Sequence, residues 1–381
     1  MATDMKALLQ ETARTLEQRL SEKHRALIGF DGFVDEIIDV VKTRHSPEHY
    51  ERIPTIAELA RRIGEAAGLS TNLELVPTQV KLGGNGPIMA NALSGMGLEV
   101  TYIGCVGYPT LHPVFEELAA KCRVISVAEP GHTDALEFDD GKVMLGKHQP
   151  LKDVRWDRIV ECIPVQELAQ IANDSSLIAA LNWTMLPYLT EVWERFLDEV
   201  LVEPQEGKTP PITFFDLCDP AKREPKELVQ ALETIQAFKA KSRPILGLNR
   251  KEATEVADAL GLSVAPSNSE APLVDITTAI GEKLELYGVV VHPTSEAAAY
   301  IEGQYYRVPG PYTSKPKLTT GAGDNFNAGF CLAQVLGLDP EASLAVGAAT
   351  SGFYVRNRRS PAGQELPGFL RTWAQNLDTE F

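Results

Sequence analysis

The residues best placed to do chemistry lie near the C-terminus, in the run Leu318-Thr319-Thr320-Gly321-Ala322-Gly323-Asp324-Asn325-Phe326-Asn327-Ala328-Gly329-Phe330. Three small residues let a backbone approach a ligand closely. They lead into a helix expected from Asn325 to about Leu336, with Phe326, Phe330, Ala333 and Leu336 near helical spacing. Unpaired N–H groups and the positive dipole end at a helix start attract anions. Asp324 falls in the first turn, at the lip of that site. A carboxylate beside an anion hole suits a base that deprotonates an attacking hydroxyl while phosphate charge is cradled alongside. The plainer alternative is a glycine-rich turn with Asp324 as a helix N-terminal residue.

Two further patterns precede it in the chain. One is Gly83-Gly84-Asn85-Gly86, a helix through Ala90, Ala92, Leu93 and Met96 to Gly97, then the strand Val100–Gly107. The other is Asn249-Arg250-Lys251-Glu252, an N-x-x-E after an apolar strand. In this order and spacing the three resemble the signatures of the ribokinase/PfkB carbohydrate kinases, over roughly residues 25 to 360. The resemblance implies a ribokinase-like three-layer α/β/α core with a mostly parallel sheet and a small β-sheet lid. It implies ATP as phosphoryl donor and Mg²⁺. It makes Asp324 the base and the backbone of Gly321, Ala322 and Gly323 the anion hole, with Thr320, Gly321, Gly323 and Asn249 on the nucleotide. Asn249 and Glu252 stand where the family meets the metal, largely through water, although the same pair suits a capping box. Gly83, Gly84 and Asn85 match positions that meet sugar hydroxyls. Asp35 matches the N-terminal Asp that binds a hydroxyl pair, with Asp31 as its competitor in Gly29-Phe30-Asp31-Gly32-Phe33-Val34-Asp35. Arg223 loosely resembles an arginine that follows a strand.

The match also fails in places. Leu318 stands where the family usually has Asp, so a monovalent-cation ligand is missing. Ile88 replaces a common Asn. The nucleotide-side strand ends in His292-Pro293-Thr294-Ser295 rather than in a Thr and a glycine turn. These departures keep two alternatives open. One is a nucleoside kinase of the same fold, with Phe30, Phe33 and Ile88 as an apolar clamp. The other is an idle sugar- or nucleotide-binding sensor.

Other elements must hold these residues in place. Apolar runs at 177–181, 212–217, 245–248 and 288–292 alternate with helical patterns near 190–202, 224–240, 250–260 and 275–286. That alternation predicts a mostly parallel sheet covered on both faces. The alternating stretches at 30–41, 73–82 and 134–145 do not suit that sheet and could form a small separate one; the resemblance implies that they supply the lid strands over the sugar site, with a dimer surface there as well. Residues 1–24 read as an N-terminal helical extension and 25–381 as the kinase domain. A hairpin is expected at 297–308, helices at 55–68 and 340–355, and an exposed loop at 203–211.

Of the 381 residues, 44% are hydrophobic and 23% charged, with a formal charge of −16. The acidic balance argues against nucleic acid or an anionic membrane as a partner. Five scattered cysteines without C-x-x-C spacing suggest neither a disulfide framework nor a zinc site. The histidines lack ligand spacing, and Arg356, Arg358 and Arg359 read as a cluster complementing a helix dipole. No signal peptide or membrane span is legible, and a cytoplasmic location is expected.

Overall fold

The computed structural model describes residues 2–263 and 273–381. Its strands are β1 (Arg25–Phe30), β2 (Phe33–Arg44), β3 (Tyr50–Arg52), β4 (Leu75–Gly83), β5 (Glu99–Gly104), β6 (Arg123–Ser126) and β7 (Gly131–Phe138). They continue with β8 (Gly141–Lys147), β9 (Leu177–Leu181), β10 (Ile212–Asp216), β11 (Arg243–Leu248), β12 (Gly288–Val291), β13 (Glu296–Ile301) and β14 (Gln304–Pro309). A nine-stranded sheet runs β14-β13-β12-β11-β10-β9-β1-β5-β6. Its strands pair in parallel from β12 through β6, while β13 and β14 add an antiparallel edge.

The parallel strands are apolar because both their faces are covered. Successive side chains point to opposite faces. Thus Ala26 and Ile28 join the core beneath the helices Asn85–Gly95, Ala322–Val335 and Pro340–Asn357, while Leu27 joins the core on the other side. That second layer holds the helices Leu189–Glu199, Pro225–Ala237, Arg250–Ala259 and Leu273–Leu284. The N-terminal helix Ala2–Arg19 places Leu9, Ala13 and Leu16 in the first core, against the helix Glu365–Gln375.

The stretches at 30–41, 73–82 and 134–145 do form a separate sheet. β2 pairs antiparallel with β4 and parallel with β7, and β7 and β8 form a hairpin. Residues 42–72 wrap this sheet. They supply β3 and the helix Ile56–Glu65, capped by the Thr55 hydroxyl, which accepts the Glu58 N–H at 3.1 Å. Ile38, Val40, Ile53, Leu59, Leu136 and Phe138 make its small core. Only Asp31 and Gly32 separate β1 from β2, so the two sheets meet at that pair. A side chain at Gly32 would collide with the Cys105 carbonyl, its Cβ falling 1.9 Å from that oxygen.

Some elements escaped the sequence reading. The helices Trp156–Cys162 and Val165–Asn173 are split at Ile163-Pro164, so neither is long enough to show a periodic stripe. The helix expected from Asn325 starts at Ala322 instead. Gly321, at φ 90°, is its N-cap, and the small residues read as a loop form its first turn.

Candidate active site

β1, β9, β10, β11 and β12 all point their C-terminal ends at one crevice, delivering Asp31, Asn182, Asp216, Asn249 and His292. Ligands of open α/β sheets bind in such a crevice. The helix Ala322–Val335 presents its N-terminus to it.

At that N-terminus the Gly321 carbonyl accepts the Asn325 N–H at 3.1 Å and the Asn325 side-chain amide at 2.8 Å. The Tyr354 hydroxyl donates to the Thr320 carbonyl at 2.7 Å and pins the approach to the turn. Ile88 packs there as well, 3.4 Å from where a Gly321 Cβ would lie. Of the three residues expected to form an anion hole, Ala322 has its N–H engaged by the Thr319 carbonyl at 3.1 Å. The Gly323 N–H meets no acceptor among the described residues. The ring of His292 borders Gly323, with Cε1 3.5 Å from a notional Cβ, and stacks on Phe326 at 4.5 Å. Burial pushes its imidazole down to about 4, so it is neutral at ordinary pH.

Asp324 sits partly exposed in the first turn. Burial raises its carboxyl well above the usual range, and the nearby charges of Asp216, Asp31 and Glu252 raise it further. Asp216 is raised in the same way, by burial and then by Glu252. It accepts the Asn327 amide at 2.9 Å on one oxygen, and the other oxygen is buried without a partner. Carbonyl oxygens of Asn182 and Asn327 are likewise buried and unpartnered. Unpaired buried acceptors in a crevice are what a hydroxylated or hydrated ligand satisfies.

The two candidate N-terminal aspartates have different surroundings. Asp31 is fully buried and accepts three donors: the N–H groups of Asn85 (2.9 Å) and Gly86 (2.8 Å), and the Asn182 amide (2.7 Å). Burial lifts its carboxyl to about 6 against the pull of those donors. Asp31 is therefore committed to the start of the helix Asn85–Gly95. Asp35 lies on β2 of the second sheet, against Gly83, whose notional Cβ would fall 2.4 Å from the carboxylate. Burial raises Asp35, and Lys81 and Thr133 partly offset this. Gly83, Gly84 and Asn85 thus run from Asp35 to Asp31, with Gly84 at φ 98°.

Asn249 and Glu252 make a reciprocal capping box. The Asn249 side chain accepts the Glu252 N–H at 3.0 Å, and Glu252 accepts the Asn249 N–H at 2.8 Å. The other Glu252 oxygen accepts the Asp219 N–H at 3.0 Å. With each oxygen already holding one donor, this carboxylate fits Mg²⁺ through bound water, a mode that ion accepts readily. No group of three or more His, Cys, Asp or Glu able to hold a metal occurs among the described residues. Cys218 and Asp219 both adopt left-handed backbone (φ 60° and 61°), marking a strained turn at the crevice wall. Arg223 is not in the crevice chemistry: it donates to the Trp183 carbonyl at 3.1 Å and lies over the Trp183 ring at 4.0 Å. The sequence reading missed Asn182, Asp216, Asn327 and Tyr354. A lone carboxylate closing an apolar strand was the available signal for Asp216.

Among solved structures, the chain is similar to ribokinase from Thermotoga maritima (TM-score 0.60, 18% identity, 91% of this chain and 99% of that one). It is similar to a nucleoside kinase from Methanocaldococcus jannaschii to the same degree (TM-score 0.59, 16% identity, 92% and 98%). The fold is the ribokinase-like α/β fold. At finer resolution, the family model for prokaryotic ketohexokinase matches residues 2–373. A ketohexokinase of Haloferax volcanii is 31% identical over 356 residues, covering 93% of this chain and 92% of that protein. The chain belongs to the prokaryotic ketohexokinase family and is a carbohydrate kinase. Among the described residues no helix is long and apolar enough to cross a membrane.

Proposed function

We propose that this sugar kinase transfers the γ-phosphoryl group of ATP to a hydroxymethyl oxygen of a ketohexose, with Asp324 as the base. The observation that carries the reading is Asp324 itself, a carboxylate raised by burial at a helix start whose Gly323 N–H is open. Mg²⁺, when bound with ATP, would spread the charge of the phosphates. Asn249, Glu252 and Thr320 would hold that end, Glu252 through water. Asp324 takes the proton of the acceptor hydroxyl. The acceptor oxygen forms its bond to phosphorus as the bond to the leaving ADP breaks, and the Gly321–Gly323 turn holds the developing charge through the open Gly323 N–H. The raised carboxyl makes Asp324 a stronger base. Asp35 and Gly83 would orient the sugar from the second sheet, which acts as a lid, and Gly84 and Asn85 from the helix start that follows it. The likeness to the Haloferax protein supports a ketohexose as acceptor.

The lid is also our site for self-association. Val80 and Leu145, 50% and 48% exposed, share one cross-strand row with Glu36 and Asp134. Leu145→Glu should shift a dimer to monomer in sedimentation.

The test is ADP release from ATP and Mg²⁺ over ketohexoses, aldohexoses and nucleosides, with phosphorus NMR of the product. Turnover of a ketohexose to a primary phosphate, lost in Asp324→Asn, is the expected result. Preference for a nucleoside, or binding without turnover, would overturn it.

A further inference from the structure

The crevice has a charge imbalance. Asp31, Asp216, Glu252 and Asp324 gather at its floor; burial raises all four, and the charges of the others raise Asp216 and Asp324 further. A kinase must nonetheless bring a polyanion here and leave a dianionic phosphate on its acceptor. A cation on the acceptor side would offset that charge, and the second sheet carries one.

Lys81 on β4, Asp35 on β2, Thr133 on β7 and Gly146 on β8 form a single cross-strand row. Asp35 in that row touches Gly83, so the row faces the crevice. Two other lysines of this sheet are neutralised within it: Lys142 pairs with Glu137 at 2.5 Å and Lys147 with Asp134 at 2.8 Å. Lys81 is half-buried and makes no hydrogen bond or close ion pair with any described residue, its opposite charge being Asp35 across the strand pair, which only partly offsets its burial. A half-buried ammonium whose three N–H donors hold no acceptor is costly, and a ligand's oxygens can satisfy them.

A second cation approaches from the core. Arg358 ends the helix Pro340–Asn357 in left-handed backbone, φ 59°. Tyr354 of that helix holds the Thr320 carbonyl. Of the three clustered arginines, Arg356 donates to the Gly352 and Phe381 carbonyls and Arg359 pairs with Glu365 at 2.7 Å. The Arg358 side chain is exposed and meets no hydrogen-bond or ion-pair partner among the described residues. Its charge reaches Lys81.

Resting on the sugar-kinase reading, we infer that Lys81, assisted by Arg358, is the phosphate-contacting cation on the acceptor side, receiving the transferred phosphoryl group as it leaves ADP. The pair counters the carboxylate floor and holds the product phosphate until it departs.

Inorganic phosphate, titrated calorimetrically into the full chain without nucleotide, is the direct probe. The unmodified chain binds it; Lys81→Met weakens binding roughly 10- to 100-fold, the worth of one charge-assisted hydrogen bond. Lys81→Arg restores it to within about threefold, and Arg358→Asn, which tolerates the left-handed backbone, has a smaller effect. With ATP and D-fructose, Lys81→Met lowers kcat by a similar factor while the KM for the sugar holds within about threefold. No phosphate binding by the unmodified chain, or equal binding by Lys81→Met, overturns the inference. The phosphate titration needs no sugar turnover, so a failure of the ketohexose reading is seen separately. Should Lys81→Met not fold, Arg358→Asn alone carries the test: unchanged phosphate binding and kcat would count against the pair.

Discussion

Two helices of this protein begin alike and are used in opposite ways. Asn85–Gly95 and Ala322–Val335 both follow a glycine at positive φ, Gly84 at 98° and Gly321 at 90°. Both offer backbone N–H groups and a positive dipole end. The first is filled by the protein's own Asp31, buried and triply hydrogen-bonded. The second keeps the Gly323 N–H open, with Asp324 beside it rather than in front of it. A helix start sealed by an internal carboxylate is a structural joint, here between the two sheets. One left open at the strand ends can receive a ligand's charge. The same glycine signature therefore says little about use until the occupant is known.

The comparison is sharpest at the aspartates. Asp324→Asn should lower kcat on the order of 10³-fold and leave sugar affinity and the unfolding midpoint nearly unchanged. Asp31→Ala should do the reverse: about 2–4 kcal/mol of stability lost in urea unfolding, because three buried donors lose their acceptor. A stable Asp31→Ala protein with a large kcat defect would break the distinction and put Asp31 on the substrate.

His292 tests whether the open end is as dry as its geometry implies. Its imidazole ionises near 6.5 unfolded but near 4 folded, lowered by burial. Between those values the unfolded chain binds more protons. This contribution is therefore whole above about pH 6.5 and is lost as pH falls toward 4, worth at most roughly 3 kcal/mol. His292→Phe should keep the stacking on Phe326 and show a smaller loss of thermal stability between pH 7 and 4.5 than the unmodified chain. Equal slopes would mean the ring is solvated.

Gly84→Ala and Gly321→Ala each force a side chain into backbone that favours glycine, at about 1–3 kcal/mol. At Gly84 the new Cβ would sit 2.9 Å from an Asp31 carboxylate oxygen; at Gly321, 2.9 Å from the Tyr354 hydroxyl. Loss of stability is expected for both. Only Gly321→Ala should also raise the KM for ATP. The smallest effect is expected at the capping box: Asn249→Ala should cost about 1 kcal/mol. A higher Mg²⁺ requirement in the same variant would give Asn249 its second role, and an unchanged one would leave it a cap.

Much of the candidate site was legible in the chain because its parts are local. Gly321, Gly323 and Asp324 are one turn, and Asn249 and Glu252 are one helix start, so spacing alone describes them. Asp31 against Asp35 was not legible. The two are four residues apart, and what separates them is which partners surround each one. Lys81 was invisible for the same reason, being one charged residue in an alternating strand.

The sequence by itself determined the α/β alternation, the parallel core and the glycine turn that presents Asp324, since periodicity and backbone preference act over a few residues. Tertiary structure decided the rest. It set Asn182 and Asp216 beside Asp31, sealed one helix start and left the other open, and brought four carboxylates from distant strands and helices together, raising the Asp324 carboxyl. Burial and charge coupling act through space between groups up to some 300 positions apart in the chain, as Asp31 and Asp324 are, and no local pattern records them.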